Sequence, residues 1–353
     1  SRLIIHQARP MTYLLKFRRT HLLTFKALTV AFGFFITCSI LLLQESIEKN
    51  NEPPHELSYL DVFSKLLPKE KDGSVLSPKV TRLAGIEKYS QVFLYIGIPT
   101  IHRKDMLLYE CLQSLFHCLN REQKYNFTIG VFIGEESETK VEDILSNIKL
   151  RFDPFIEMGV LEVLRVQFDF DGLDDTFPTL VDLVETLNGN SYLKWRYRQN
   201  LHFIEQWKYA IGRSEYYLQL EDDVLASKDY LRTIVDSVRS QSDPWYEMGF
   251  SSLGYIGKLY RNDRLYGLIT QALLYRQYLP IDWTRRSIMV TLCLLFDMEP
   301  PEACQRFENK QVVKSKGLFQ HKGTDSSLEG KVQYLVDWGF QETECSDKTQ
   351  LEI

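Results

Sequence analysis

Tyr216-Tyr217-Leu218-Gln219-Leu220-Glu221-Asp222-Asp223-Val224 is a β-prone apolar run that stops in three adjacent carboxylates. Neighbouring like charges repel and desolvate poorly, so a buried strand rarely ends this way unless something offsets the charge. A divalent cation would do so. Hard carboxylate oxygens suit Mg²⁺ or Mn²⁺, and such ions keep positions open for water and substrate phosphates. Open α/β sheets place ligands at the carboxyl ends of their strands. The stretch reads as a strand that ends in a metal–diphosphate site. A solvated acidic turn ahead of a helix is the alternative, and the pattern alone does not separate the two.

Outward from this strand, apolar runs and helical spacings alternate. Val92–Ile98 reads as a buried first strand, stopped by Pro99-Thr100. Leu108, Leu112, Leu115, Phe116 and Leu119 follow at helical spacing. Phe127–Ile133 is a second strand, ended by Gly134-Glu135-Glu136, and Val141–Phe152 a helix. Val160–Val166 is a third strand, and Trp195–Ala210 a helix leading into the acidic strand. Asp229–Ser240 is a helix beyond it. The alternation predicts an α/β fold with a largely parallel sheet. Such a fold suits a nucleotide-sugar transferase. Pro99 to Arg103 would meet the nucleotide, the acidic turn would hold the metal, and the later half would carry acceptor and base.

At 353 residues and 44% hydrophobic, the chain has material for one large domain or two small ones. Its net charge of −5 offers no basic footprint, so nucleic acid is not an expected partner. Ala27–Leu43 carries no charge and, with Leu22, Leu23 and Phe25, approaches the ~20 residues a bilayer requires. Arg18, Arg19 and Lys26 precede it, and Glu45 and Glu48 follow. That bias keeps the amino end in the cytoplasm and sends the rest across. A cleaved signal peptide or a buried helix are the other readings, but Gln44-Glu45-Ser46 is a poor cleavage site. The expected organisation is a cytoplasmic tail over 1–26, a signal anchor over 27–43, a Pro-containing stem over 44–88, a catalytic domain over 89–345 and a tail over 346–353.

A lumenal domain permits disulfides and glycans. Cys293 and Cys304 flank Pro300-Pro301 and are the candidate bridge. Cys111 and Cys118 lie seven apart on a helix, ~10.5 Å, too far to pair. Asn126-Phe127-Thr128 is a glycosylation sequon.

Several segments, taken in order, resemble one family. They are Ile96–Thr100 with Arg103, Val131–Glu135, Trp195-Arg196 with Arg198–Leu201, Tyr217–Val224, Leu253–Lys258, Pro280–Trp283, and Leu318–His321 with Ser326-Ser327. The family is the α-1,3-mannosyl-glycoprotein 4-β-N-acetylglucosaminyltransferases, and the matches run from about residue 92 to 335. The chain looks like a short member that stops soon after Phe319-Gln320-His321, without the carboxy-terminal lectin-like domain of long members. The resemblance implies a GT-A fold on a Golgi type II membrane protein. It also implies a UDP-GlcNAc donor, and inverting β1,4 transfer to the α1,3-mannose arm of N-glycans with Mn²⁺, or Mg²⁺, on the diphosphate.

On that reading Asp223 ligates the metal, while Asp222 and Glu221 touch donor ribose or metal waters. Pro99, Thr100 and Arg103 bind donor, with a surface charge as the alternative for Arg103, and Glu135 contacts uracil or ribose, or else caps a helix. Asp282 is the candidate base, with a helix N-cap as its alternative role. His321 is a metal or diphosphate ligand, or a structural loop histidine. Arg198 and Lys258 suit phosphate oxygens, or lie as surface charges. Some positions depart from the family pattern. Gly249 precedes Phe250-Ser251 where relatives carry glutamate, Lys314–Gly317 replaces an Arg-x-Arg-Pro-like run, and 168–175 is an unusual insertion. Two functions follow: an active transferase, or an inactive member that regulates another Golgi N-acetylglucosaminyltransferase.

Overall fold

The computed structural model describes residues 77–88, 90–117, 126–168, 190–242, 245–276, 279–282, 284–285, 312–314, 317–323, 336–337 and 339–340. All belong to one compact unit, Leu57–Ile353, separate from Ser1–Glu56. The apolar run 27–43, Cys293 and Cys304 lie outside the described residues. Among the described residues no helix is long and apolar enough to cross a membrane.

In chain order the strands are β1 (Val80–Ala84), β2 (Val92–Thr100), β3 (Phe127–Ile133), β4 (Leu161–Val166), β5 (Ser214–Gln219), β6 (Val224–Ala226), β7 (Glu247–Gly249), β8 (Lys258–Arg261), β9 (Val312–Lys314) and β10 (Phe319–His321). The helices are α1 (Leu108–His117), α2 (Glu138–Glu157), α3 (Asn190–Ala210), α4 (Tyr230–Ser240) and α5 (Leu265–Tyr275). Among the described residues the main sheet runs β1-β4-β3-β2-β5-β8-β7-β9, and β10 pairs with β6 in a second, two-stranded sheet. The central four strands, β4-β3-β2-β5, are all parallel. Antiparallel pairs flank them at β1–β4, β5–β8 and β8–β7. This is the mixed α/β, mostly parallel centre that the alternation predicts. One boundary moves: Val80–Ala84, placed in the stem by composition, is the edge strand of the sheet, with Val80 opposite Val166. Thr81 is exposed and the other four residues are half-buried, and an edge strand so open to water lacks the apolar run of its neighbours.

The period of two along β2 splits the core into two layers. Leu94, Ile96 and Ile98 join one cluster with α1, α2 and α4, while Tyr95 joins the other with α3 and α5. Helix α2 supplies its stripe at Val141, Ile144, Leu145 and Ile148, spaced i, i+3, i+4, i+7. It bends at Phe152, just before Pro154, whose ring cannot continue the hydrogen-bond ladder.

Two glycines let the α3 face take large aromatics. Gly97 and Gly130 are cross-strand partners. A Cβ on Gly97 would lie 2.2 Å from Tyr217 Oη, and one on Gly130 2.0 Å from Tyr95 Oη. The tyrosine rings stack at 6.3 Å over the space the glycines leave. Tyr217 Oη and Trp207 Nε1 both donate to Gln219 Oε1, at 2.8 and 3.0 Å. That pairs the buried Tyr217 hydroxyl and the Trp207 indole beneath the end of β5.

Candidate functional site

The carboxyl ends of β2, β3 and β5 lie side by side, and backbone bonds knit the loops that leave them. Leu220 N donates to Gly97 O at 3.0 Å, Gly134 N to Thr100 O at 2.8 Å, and Gly257 N to Gln219 O at 2.9 Å. β5 stops at Gln219, so Leu220 and the three carboxylates form the turn before β6. β10 folds back on β6 with His321 opposite Val224, and Lys322 N donates to Asp223 O at 2.8 Å. A late segment is thereby laid directly against the acidic turn.

The three carboxylates divide their work. Asp222 faces inward: Oδ2 accepts from the Thr100 hydroxyl at 2.7 Å and Oδ1 pairs with Arg103 Nη2 at 3.0 Å. Asp223 Oδ2 lies 3.4 Å from both Arg103 Nη1 and His321 Nε2. Glu221, Asp223 and His321 each offer a ligand atom, and these atoms lie within 4.8 Å of one another. Glu221, expected on the donor side, thus stands with the metal candidates, while Asp222 is held by Thr100 and Arg103. Asp282 lies close enough to act on Glu221. A Cβ on Gly254 would lie 3.6 Å from Glu221 Oε1 and 4.0 Å from Asp282 Oδ1, so both carboxylates border that glycine. Asp282 is exposed and sits inside a helical turn closed by Thr284 N donating to Pro280 O at 3.1 Å. It is therefore within the turn, not at its N-cap.

Electrostatics favour a cation here. Loss of hydration, then the charges of Asp223, Asp282 and Asp222, push the Glu221 carboxyl well above its ordinary range. Burial also raises Asp222, against the opposing pull of Arg103. Asp223 Oδ1 and His321 Nδ1 are buried without a hydrogen-bond partner among the described residues. Crowded carboxylates, an imidazole and an orphaned buried oxygen form a donor set that fits a hard divalent ion. A Cβ on Gly323 would come within 2.3 Å of Asp223 Oδ2, so only glycine leaves that carboxylate its place.

The remaining expected residues fall around this centre. Glu135 is buried and accepts from His102 N at 2.8 Å, tying the loop after β3 to the loop after β2. Pro99 lies in β2 beside Phe132. Arg198 reaches the end of β3, donating to Gly134 O, lying 3.6 Å from Glu136 and stacking over Phe168. Lys258 is bonded to the loop after β7. It is buried in β8, donates to Ser251 O, and its ammonium is pulled down to about 8 by burial against the raising effect of Glu247. Asn126 heads β3 with its amide on Gln91 O, and Thr128 of the same sequon is buried.

Sequence reading missed a buried carboxylate on β7. Glu247 is almost wholly enclosed, accepts from Tyr260 Oη at 2.7 Å and pairs with Arg285 at 2.5 Å. Asp337 accepts from the Ser251 hydroxyl at 2.8 Å and Ser252 N at 2.7 Å. The available signal was one carboxylate inside the apolar run Trp245 to Phe250. At Gly249 there is no side chain, and the nearest acidic residue on that strand, Glu247, is held by its two partners.

Comparison with known proteins bears on this arrangement. The family model described as the MGAT4 conserved region matches residues 55–340. Alpha-1,3-mannosyl-glycoprotein 4-beta-N-acetylglucosaminyltransferase A of Rattus norvegicus is 32% identical over 249 residues, 70% of this chain and 46% of the relative. The corresponding enzyme B of Danio rerio is 30% identical over 252 residues, 70% of this chain and 45% of the relative. The chain spans about half the length of the curated relatives it matches. Among solved structures, S. aureus TarS 1-349 is 10% identical, covers 61% of this chain and 69% of that chain, and has a TM-score of 0.31, too low to bear on fold or function.

Proposed function

From the chain's membership of the MGAT4 conserved-region family, we propose that it is a GT-A-type N-acetylglucosaminyltransferase. It takes GlcNAc from UDP-GlcNAc and places it in β1,4 linkage on the α1,3-mannose arm of N-glycans, with inversion. It works in the Golgi lumen, carried on residues 27–43 as a type II anchor. The relatives' names support the linkage and acceptor, and the charge-flanked apolar run supports the anchor.

The observation that carries the reading is the convergence of Glu221, Asp223 and His321 at the carboxyl ends of the parallel strands, with Asp282 across Gly254. A bound divalent cation, Mn²⁺ or Mg²⁺, would be held by Asp223 and His321 with Glu221 beside them, and would neutralise the leaving diphosphate as a Lewis acid. The chain's own residues do the rest. Thr100 fixes Asp222, so the middle carboxylate stays turned toward the loop after β2. Arg103 offers a guanidinium to phosphate oxygens from that same loop. Asp282, exposed on its turn, removes the proton from the acceptor hydroxyl as that oxygen attacks the anomeric carbon from the face opposite UDP.

The full chain, incubated with UDP-GlcNAc, Mn²⁺ and a biantennary N-glycan, should yield a β1,4-linked product, and Asp223→Ala should abolish it. Absence of product from well-folded wild-type chain would overturn the catalytic reading. One observation favours the second reading, an inactive regulator of another transferase: position 249 has no carboxylate, and Glu247 is locked by Arg285 and Tyr260. In that case Asp223→Ala would leave every cellular effect of the chain intact.

A further inference from the structure

The acidic turn already carries a cation of its own. Arg103 rises from the loop after β2 and meets two of the three carboxylates, at 3.0 Å on Asp222 and 3.4 Å on Asp223. Its contact with Asp223 is to Oδ2, the oxygen that faces His321 Nε2. Guanidinium and imidazole therefore converge on one carboxylate oxygen, from opposite ends of the domain sequence. Arg103 Nε and Asp223 Oδ1 are both buried without hydrogen-bond partners among the described residues. Unpaired buried polar atoms are costly, and both lie at the contact between guanidinium and carboxylate.

We propose that Arg103 is the resident counter-cation of this turn, that it and a divalent cation are antagonists for Asp223, and that a nucleoside diphosphate resolves the antagonism. The inference rests on the metal-site reading given above and adds a coupling to it. A dication ligated by Asp223 would stand within a few ångströms of the guanidinium, where like charges in a poorly hydrated site repel strongly. Phosphate oxygens suit a guanidinium as well as carboxylate oxygens do, through the same paired geometry. A dication alone should therefore bind weakly, and a dication together with diphosphate tightly. The coupling is reciprocal, so each ligand raises affinity for the other by the same factor. Asp222 and Asp223 thus keep a counter-charge without ligands, and the turn favours joint entry of metal and donor over metal alone.

Calorimetry on the full chain tests this, with Mn²⁺ alone and with UDP titrated in saturating Mn²⁺. Arg103→Gln should bind Mn²⁺ alone about tenfold tighter than wild type, and UDP at least about tenfold more weakly. Arg103→Lys, which keeps the charge, should stay within about threefold of wild type for Mn²⁺ alone. Arg103→Met is a second neutral variant that must behave as Arg103→Gln does, should glutamine compromise folding. Wild type that binds Mn²⁺ no more weakly than the neutral variants overturns the antagonism and leaves the metal site standing. Equal tightening in Arg103→Lys also overturns it, because charge would then not be the cause. If neither wild type nor any variant takes up Mn²⁺, with or without UDP, the metal-site reading fails and this inference with it. Uptake by the neutral variants but not by wild type alone is the strongest support.

Discussion

The Thr100 hydroxyl donates to Asp222 Oδ2 at 2.7 Å, joining the last residue of β2 to the acidic turn after β5. Both groups are buried, so the bond is a fixed brace between two strand ends. Thr100→Val should leave a buried carboxylate oxygen short of a donor and cost about 1–3 kcal/mol in denaturant unfolding. The bond also lowers the Asp222 pKa, so its loss should move Mn²⁺ uptake to higher pH. Thr100→Ser should keep most of both properties. Unchanged stability and pH dependence in the valine variant would contradict the brace.

Gly323 should be irreplaceable for metal uptake while tolerable for folding. A methyl group there meets Asp223 Oδ2 at 2.3 Å and must displace it. Gly323→Ala is expected to weaken Mn²⁺ binding by roughly 10- to 100-fold, the scale seen when a ligand's support is disturbed. Far-UV circular dichroism should stay as in wild type. Wild-type Mn²⁺ affinity in this variant would show that Asp223 is not a ligand.

Asp282 separates chemistry from binding. With the donor site intact, Asp282→Asn should slow transfer by about 10²- to 10⁴-fold, the usual contribution of a positioned base. UDP affinity in Mn²⁺ should change by less than about threefold. Loss of UDP binding in step with rate would instead place Asp282 in the donor site.

The paired glycines give a steric prediction. Gly97→Ala puts a methyl 2.2 Å from Tyr217 Oη and should destabilise by roughly 1–3 kcal/mol or more. Tyr217→Phe removes that oxygen, so the double variant should recover part of the loss in a thermodynamic cycle. Additive losses would mean the clash is not with the hydroxyl.

His202 sets an acid limit. Burial holds its imidazole down to about 4, and Nε2 contacts Phe132 O at 2.9 Å. The unfolded chain, with pKa near 6.5, binds the proton first as pH falls. The stability due to neutral His202 is therefore full above about 6.5 and lost progressively toward pH ~4, by about 3 kcal/mol in all. His202→Gln keeps a donor and should flatten unfolding free energy across that window. A slope equal to that of wild type would assign the pH response to other groups.

The central strands were legible because burial on both faces leaves a continuous apolar run, as in Phe127–Ile133, where every residue is buried. Their helices were legible from stripes such as Val141, Ile144, Leu145 and Ile148. Val80–Ala84 was not, since an edge strand needs no such run. In the site, the carboxylates and His321 stood out by residue type. The turn of Lys258 toward Ser251 did not, because strand register decides it and register is a tertiary property. Glu247 and Arg285 stayed hidden for a related reason: an isolated charge in an aromatic run says nothing about which distant partner neutralises it.

Local physics in the chain determined the alternating α/β pattern, the carboxylate cluster at the end of a strand and the family to which it belongs. Each of these depends on residue type and spacing, which the chain carries within a few turns of backbone. Only the folded sheet decided that Glu221 faces His321 while Asp222 faces Thr100, and that Arg103 lies against Asp223. Adjacent side chains in a turn diverge, and which one joins His321, the Thr100 brace or the Arg103 guanidinium depends on strands brought together from far apart in the chain.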